Sequence, residues 1–96
     1  FKPTISTAYK TELFNEIDAL KDRLPGMLAV HIGTNVSPED GMDKGFSDGF
    51  IVDFADGFSR DTYLDDPEHK ATGGRLVAAA EGGIAGILVY DLETDD

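Results

Sequence analysis

The sequence predicts an α+β domain in which two helices alternate with short strands in a split β-α-β order. Three observations carry this reading. Apolar residues recur at helical spacing over residues 7–24. Two strand-length runs with period-two alternation follow, on either side of a polar loop. A second helix, opened by Asp66-Pro67-Glu68, then leads into a last apolar run.

Phe1 to Ile5 reads as the end of an extended segment, broken by Pro3. Ser6 or Thr7 caps the helix that follows. Leu13, Ile17, Leu20 and Leu24 lie three or four residues apart, and Phe14 widens their stripe, so this helix packs on something flat. Pro25-Gly26 ends it. Met27 to Ile32 is a strand with Leu28, Val30 and Ile32 on one face and Ala29, His31 and Gly33 on the other. Gly33 to Gly45 is a loop. Phe46 to Phe54 is the second strand: Phe46, Phe50, Val52 and Phe54 face one way, interrupted by Asp48, and Ser47, Gly49, Ile51 and Asp53 face the other.

Ser59 to Leu64 reads as a short helix. The next has Asp66 as N-cap, Pro67 at its first position and Glu68 in its first turn, and runs to about Glu81. Gly73-Gly74 lies inside it, at a cost of about 1 kcal/mol per glycine relative to Ala, and marks a kink or a close backbone contact. Gly82-Gly83 stops it. Ile84 to Leu92 is the last strand, too continuously apolar for a sheet open to water, and Glu93 to Asp96 is an acidic tail. With one strand placed before Phe1, the order becomes the ferredoxin-like split β-α-β arrangement. Both helices then cover one sheet face. The other face, carrying Ile51, is covered most simply by a second copy in a closed twofold homodimer.

A chain of 96 residues is one domain, spanning 1–96. A domain this size buries only about two-thirds of its unfolded surface, so an oligomer interface adds to a modest core. Nineteen acidic residues against eight basic ones give a net charge of -11, which repels phosphate backbones and anionic lipid, so neither nucleic acid nor membrane is an expected partner. No apolar run approaches the roughly 18 residues of a membrane span. The absence of cysteine rules out a disulfide framework and thiolate chemistry, and is compatible with a cytoplasmic location.

Five segments occur in order: Phe1-Lys2-Pro3, Gly33-Thr34-Asn35-Val36-Ser37, Asp43-Lys44-Gly45-Phe46, Tyr63-Leu64-Asp65-Asp66-Pro67-Glu68-His69 and Val89-Tyr90-Asp91-Leu92-Glu93. Together, over nearly the whole chain, they resemble the stress-responsive dimeric α/β-barrel (Dabb) family. The resemblance implies a ferredoxin-like protomer, a homodimer whose two sheets close into one barrel, and a first strand ending where this chain begins. Many members of that family carry a stress-response label and no assigned activity. One plant member is a cofactor-independent polyketide cyclase, whose active-site Tyr and His match Tyr63 and His69. Its further His lies on the first strand and its further Tyr at the position of Ile17, where this chain departs. Family members often carry a His-Pro-x-His run where Asp66 begins the segment here, a second departure. The cyclase reaction is therefore not carried over whole.

The candidate site residues each have two readings. His69 is at the third helical position, where the helix dipole disfavours an imidazolium. It is a general base, or a histidine satisfied at the helix start. Tyr63 is a hydrogen-bond donor to a substrate, or a core residue with its hydroxyl at the edge. Spacing alone does not bring the two together; the resemblance does. His31, between small neighbours, and Asp53, which alternates with Ile51, are weaker ligand-binding candidates lining the barrel, or ordinary strand residues. Glu39, Asp40, Asp43 and Asp48 lack the spacing of a calcium loop, and two His without Cys give no zinc pattern, so no metal or other cofactor is expected.

Two functions follow. One is a homodimeric barrel that binds a small apolar or aromatic molecule without catalysis, in a pocket between sheet and helices bounded by Tyr63 and His69. The other is a cofactor-free cyclase, lyase or isomerase acting on an aromatic or polyketide-like carbonyl compound, with His69 as base and Tyr63 as hydrogen-bond donor.

Overall fold

The computed structural model describes residues 1–95. Helix α1 spans Thr7–Ala19 and continues as a 3-10 turn over Leu20–Asp22. Ser6 caps it, its hydroxyl accepting from the Tyr9 N–H at 3.1 Å. The stripe read from the sequence is the buried one: Leu13 and Ile17 are fully buried, with Phe14, Leu20 and Leu24 beside them. At Gly26 the chain turns with a φ of 84°, and any Cβ would overlap the Ser59 side chain, so only glycine fits.

Strands β1 (Met27–Thr34) and β2 (Asp48–Phe54) form an antiparallel two-stranded sheet. Val30 pairs with Val52 and Ile32 with Phe50 on the helix-covered face; Ala29 pairs with Asp53 and His31 with Ile51 on the open face. A register irregularity between Met27 and Ala29 changes one expected assignment. Met27, paired with Phe54, enters the core, and Leu28 is exposed rather than sharing the face of Val30. One extra residue in a ladder reverses the alternation on one side of it. Phe46 falls outside the second strand, which begins at Asp48.

Helix α2 (Gly57–Asp65) is capped by Asp56, whose carboxylate accepts from the Ser59 N–H at 2.8 Å. Helix α3 (Pro67–Ala79) has the expected start at Asp66 and runs unbroken through Gly73-Gly74. The close contact that was one expectation at that pair is not present, since a methyl group at either glycine would meet no heavy atom within 4 Å. The chief packing partners of α3 are α1 and α2, not the strands. Two strands about 4.8 Å apart make too narrow a platform for two helices whose axes lie 8–10 Å apart. Thr72 and Arg75 instead join α3 to Glu16 of α1.

The expected last strand does not form. Gly83–Gly86 is a 3-10 turn, and the residues from Ile87 to Asp95 are irregular. A strand exists as part of a ladder, and the two-stranded sheet offers this segment no partner. Ile87 is nonetheless extended (φ -126°, ψ 131°), and Leu88, Val89, Tyr90 and Leu92 are exposed. The core comprises Ile17, Leu20, Leu24, Met27 and Tyr63, with Val30, Phe50, Val52 and Phe54 of the sheet against it.

Candidate functional site

The two helices after the sheet meet at a single-residue corner. Tyr63 lies in the last turn of α2 and His69 in the first turn of α3, with Asp66 between them in extended conformation (φ -66°, ψ 129°). Pro67 cannot continue a preceding helix hydrogen-bond ladder, so α2 must stop here and α3 must start afresh in a new direction. That change of direction brings the rings of Tyr63 and His69 together, with centroids 3.9 Å apart and planes inclined by 44°. On its other side Tyr63 packs against Phe54 at 5.1 Å.

Tyr63 is only 7% exposed. Burial, with the negative charge of Asp91 nearby, pushes its hydroxyl up to about 12, so it remains a protonated donor at any physiological pH. Burial also pulls the His69 ring below the ordinary histidine range, opposed more weakly by the Leu64 carbonyl and the Asp66 charge. The imidazole is thus held neutral. Its Nδ1 is buried and has no hydrogen-bond partner. A neutral ring nitrogen without a partner, stacked on a phenol, can accept a proton or hydrogen-bond a ligand oxygen.

Asp66 binds this corner together. Its backbone N–H donates to the Tyr63 carbonyl at 3.2 Å, and its Oδ2 accepts from the His69 backbone N–H at 3.0 Å. Both carboxylate oxygens also accept from the Arg23 guanidinium, each at 2.8 Å. Those bonds to Arg23 are the main reason its carboxyl is held down to about 2, with the backbone N–H groups of His69 and Glu68 adding to them. The sequence reading found the cap but missed Arg23. The two residues are 43 positions apart, and no local pattern joins them. Asp91 was missed as well; it pairs with Arg60 at 2.5 Å and brings the irregular C-terminal segment against α2.

His31 and Asp53 come together elsewhere. The His31 Nε2 lies 2.9 Å from an Asp53 carboxylate oxygen, on the open sheet face, with side chains 60% and 54% exposed. The sheet separates this pair from Tyr63 and His69. The four candidates therefore form two pairs on opposite faces and not one cluster. Two clefts open on the helical side. One, of about 180 Å³, lies between α1 and the strand ends at Phe14, Ile32 and Asp48. The other, of about 330 Å³, lies between α1 and α3 at Leu20, Ala71 and Arg75. Neither is lined by Tyr63 or His69. The rings of the pair pack directly against each other. Among the described residues no group of three or more His, Cys, Asp or Glu converges as a metal site, and no helix is long and apolar enough to cross a membrane.

Helices on one side of an antiparallel sheet, joined in this order, define a ferredoxin-like α+β protomer. The family model of the stress responsive A/B barrel domain matches residues 1–94, and the chain belongs to that family. Among solved structures it is similar to a dimeric ferredoxin-like protein of unknown function from Jannaschia sp. CCS1. That likeness has 36% identity and a TM-score of 0.82 over 88% of this chain and 81% of that one. A protein from Arabidopsis thaliana, at 23% identity and a TM-score of 0.72 over 81% of this chain and 75% of that one, shares the fold. No curated protein matches the sequence.

Proposed function

We propose that the protein is a homodimeric, cytoplasmic barrel protein that binds a small apolar or aromatic carbonyl compound at the Tyr63–His69 corner. One observation carries the reading: the His69 Nδ1 is buried without a partner beside a protonated phenol. An unpaired buried polar atom costs roughly 1–3 kcal/mol, so a group that supplies its hydrogen bond gains that much over one that does not. The aromatic wall of Phe54, Tyr63 and His69 favours a flat, apolar ligand body.

The dimer is supported by the open sheet face, where Ile51 is 65% exposed, and by the dimeric description of the Jannaschia protein. In such a dimer His31 and Asp53 face the barrel interior. An additional strand along the free edge of β2 would give the extended segment after Gly86 its ladder partner and wall off the Tyr63–His69 corner as a pocket. The neutral imidazole also supports a second reading, a cofactor-free cyclase, lyase or isomerase with His69 as base and Tyr63 as donor.

The test uses 2-hydroxyacetophenone as probe. The chain has two histidines, so its histidine Hε1 NMR signals are two and are assigned by single substitution. Binding is expected to shift the His69 signal and leave the His31 signal in place, and His69→Ala is expected to weaken binding about tenfold. Saturable binding that is unaffected by His69→Ala and Tyr63→Phe would remove this corner as the site.

A further inference from the structure

We propose that Asp66 and Arg23 form a positioning clamp that sets the Tyr63–His69 ring contact, a role beyond capping α3. The proposal rests on the reading of that corner as the ligand site.

The α2–α3 corner is one residue long, so its geometry depends on how that residue is held. Asp66 is 7% exposed and uses every polar group it has. Its N–H closes α2 on the Tyr63 carbonyl at 3.2 Å, and its own carbonyl accepts from the Lys70 N–H at 3.0 Å. Its Oδ2 holds the His69 N–H at 3.0 Å. A capping function alone requires only that last bond, which a neutral Ser, Thr or Asn makes equally well. Here the carboxylate also receives a two-pronged guanidinium, Nη1 on Oδ1 and Nη2 on Oδ2, both at 2.8 Å.

That fork fixes the plane of the carboxylate as well as its position, because two parallel N–H···O bonds permit no rotation. Arg23 stands just after the 3-10 turn that ends α1, next to core residue Leu24, and Glu68 holds its guanidinium from the solvent side at 3.2 Å. The clamp thus references the start of α3 to the end of α1. Tyr63 needs no such help, since Phe54 and the core already hold its ring. His69 does: it is only half-buried, and its Nδ1 has no hydrogen-bond partner. The direction of its Cα–Cβ bond is set by the first turn of α3, and that turn is set by Asp66.

Three variants of the full chain separate clamping from capping. Asp66→Asn keeps a capping oxygen and loses the charged fork. Arg23→Gln leaves Asp66 untouched and removes the fork from the other side. Arg23→Lys keeps the charge and removes the two-pronged geometry. In ligand-free protein, the ring current of Tyr63 shifts the His69 Hε1 signal away from that of a free histidine. Asp66→Asn and Arg23→Gln are expected to move that signal most of the way back, Arg23→Lys part of the way, with the His31 signal unchanged. Affinity for 2-hydroxyacetophenone is expected to fall about tenfold in the first two, as a loosened first turn misplaces the ring. If these variants lower the Tm but leave the His69 shift at its wild-type value, Asp66 is a helix cap and the clamp is refuted. If wild-type protein does not bind the probe, the ligand-site reading fails, and the ligand-free shift still decides the clamp by itself.

Discussion

His69 carries its ring on the first turn of α3, where outward-pointing N–H groups disfavour a positive charge and the Tyr63 ring excludes water from one side. Both effects favour the neutral imidazole, and burial is the main cause of its lowered pKa. The consequence for stability has a definite sign. The folded ring titrates below the unfolded one, whose pKa is about 6.5. As pH falls below that value the unfolded chain binds a proton that the folded chain refuses, so stability declines until the folded ring protonates too. His69→Asn is expected to flatten this slope below about pH 6.5, read from urea midpoints at half-unit intervals. An unchanged slope would mean that the ring is not held neutral. Asp66 acts in a separate window. Its contribution is present above about pH 4 and is lost as pH falls through about 2, the value to which Arg23 holds it.

At the scale of elements, the two helices after the sheet are set by their ends. Asp56 and Asp66 each place a carboxylate oxygen on the N–H three residues on, and Gly26 turns the chain out of α1 where no side chain fits. Gly26 and Gly74 make opposite predictions. Gly26→Ala forces a positive φ on a residue with a Cβ and drives that atom into Ser59, so it is expected to destabilise by about 2 kcal/mol or more. Gly74 is helical, exposed and free of close neighbours, so Gly74→Ala is expected to stabilise by about 1 kcal/mol. Chemical denaturation of both variants checks the pair. A destabilising Gly74→Ala would show that another chain approaches the helix there.

The whole molecule presents an apolar face and a strong negative charge at once. Ile51 and Leu28 are exposed on or beside the sheet, and the extended residues after Gly86 add Leu88, Val89 and Leu92. Apolar surface of this kind on a small domain marks a place where another surface docks. Self-association must overcome the repulsion between two copies each carrying -11. Sedimentation equilibrium is therefore expected to give a tighter dimer at about 0.5 M than at about 0.05 M sodium chloride, because the added salt screens that repulsion. Ile51→Asp is expected to weaken the dimer about a hundredfold or more, since twofold symmetry places the change on both sides and each buried Ile contributes about 1.5–3 kcal/mol. A sedimenting monomer at micromolar wild-type concentration would remove the dimer from the proposal.

The sequence by itself determined whatever depends on neighbours within about one turn or one pleat. The Ser6 and Asp66 caps, the stop at Gly26, the buried stripe from Leu13 to Leu24 and the two faces of β2 were all legible, because each is a local hydrogen bond or a short period. The helical corner was half legible: Pro67 announced a break, but the direction of the new helix did not follow from it. The tertiary structure decided the rest. It placed Met27 rather than Leu28 in the core, because register against Phe54 is a property of two strands. It left Ile84 to Leu92 without a strand, because a ladder needs a partner that no apolar pattern supplies. It joined Arg23 to Asp66 and set Tyr63 against His69, contacts that arise only when separate helices are docked at one angle. Local pattern specifies which residues belong to an element and which face is apolar; only packing between elements specifies what that face meets.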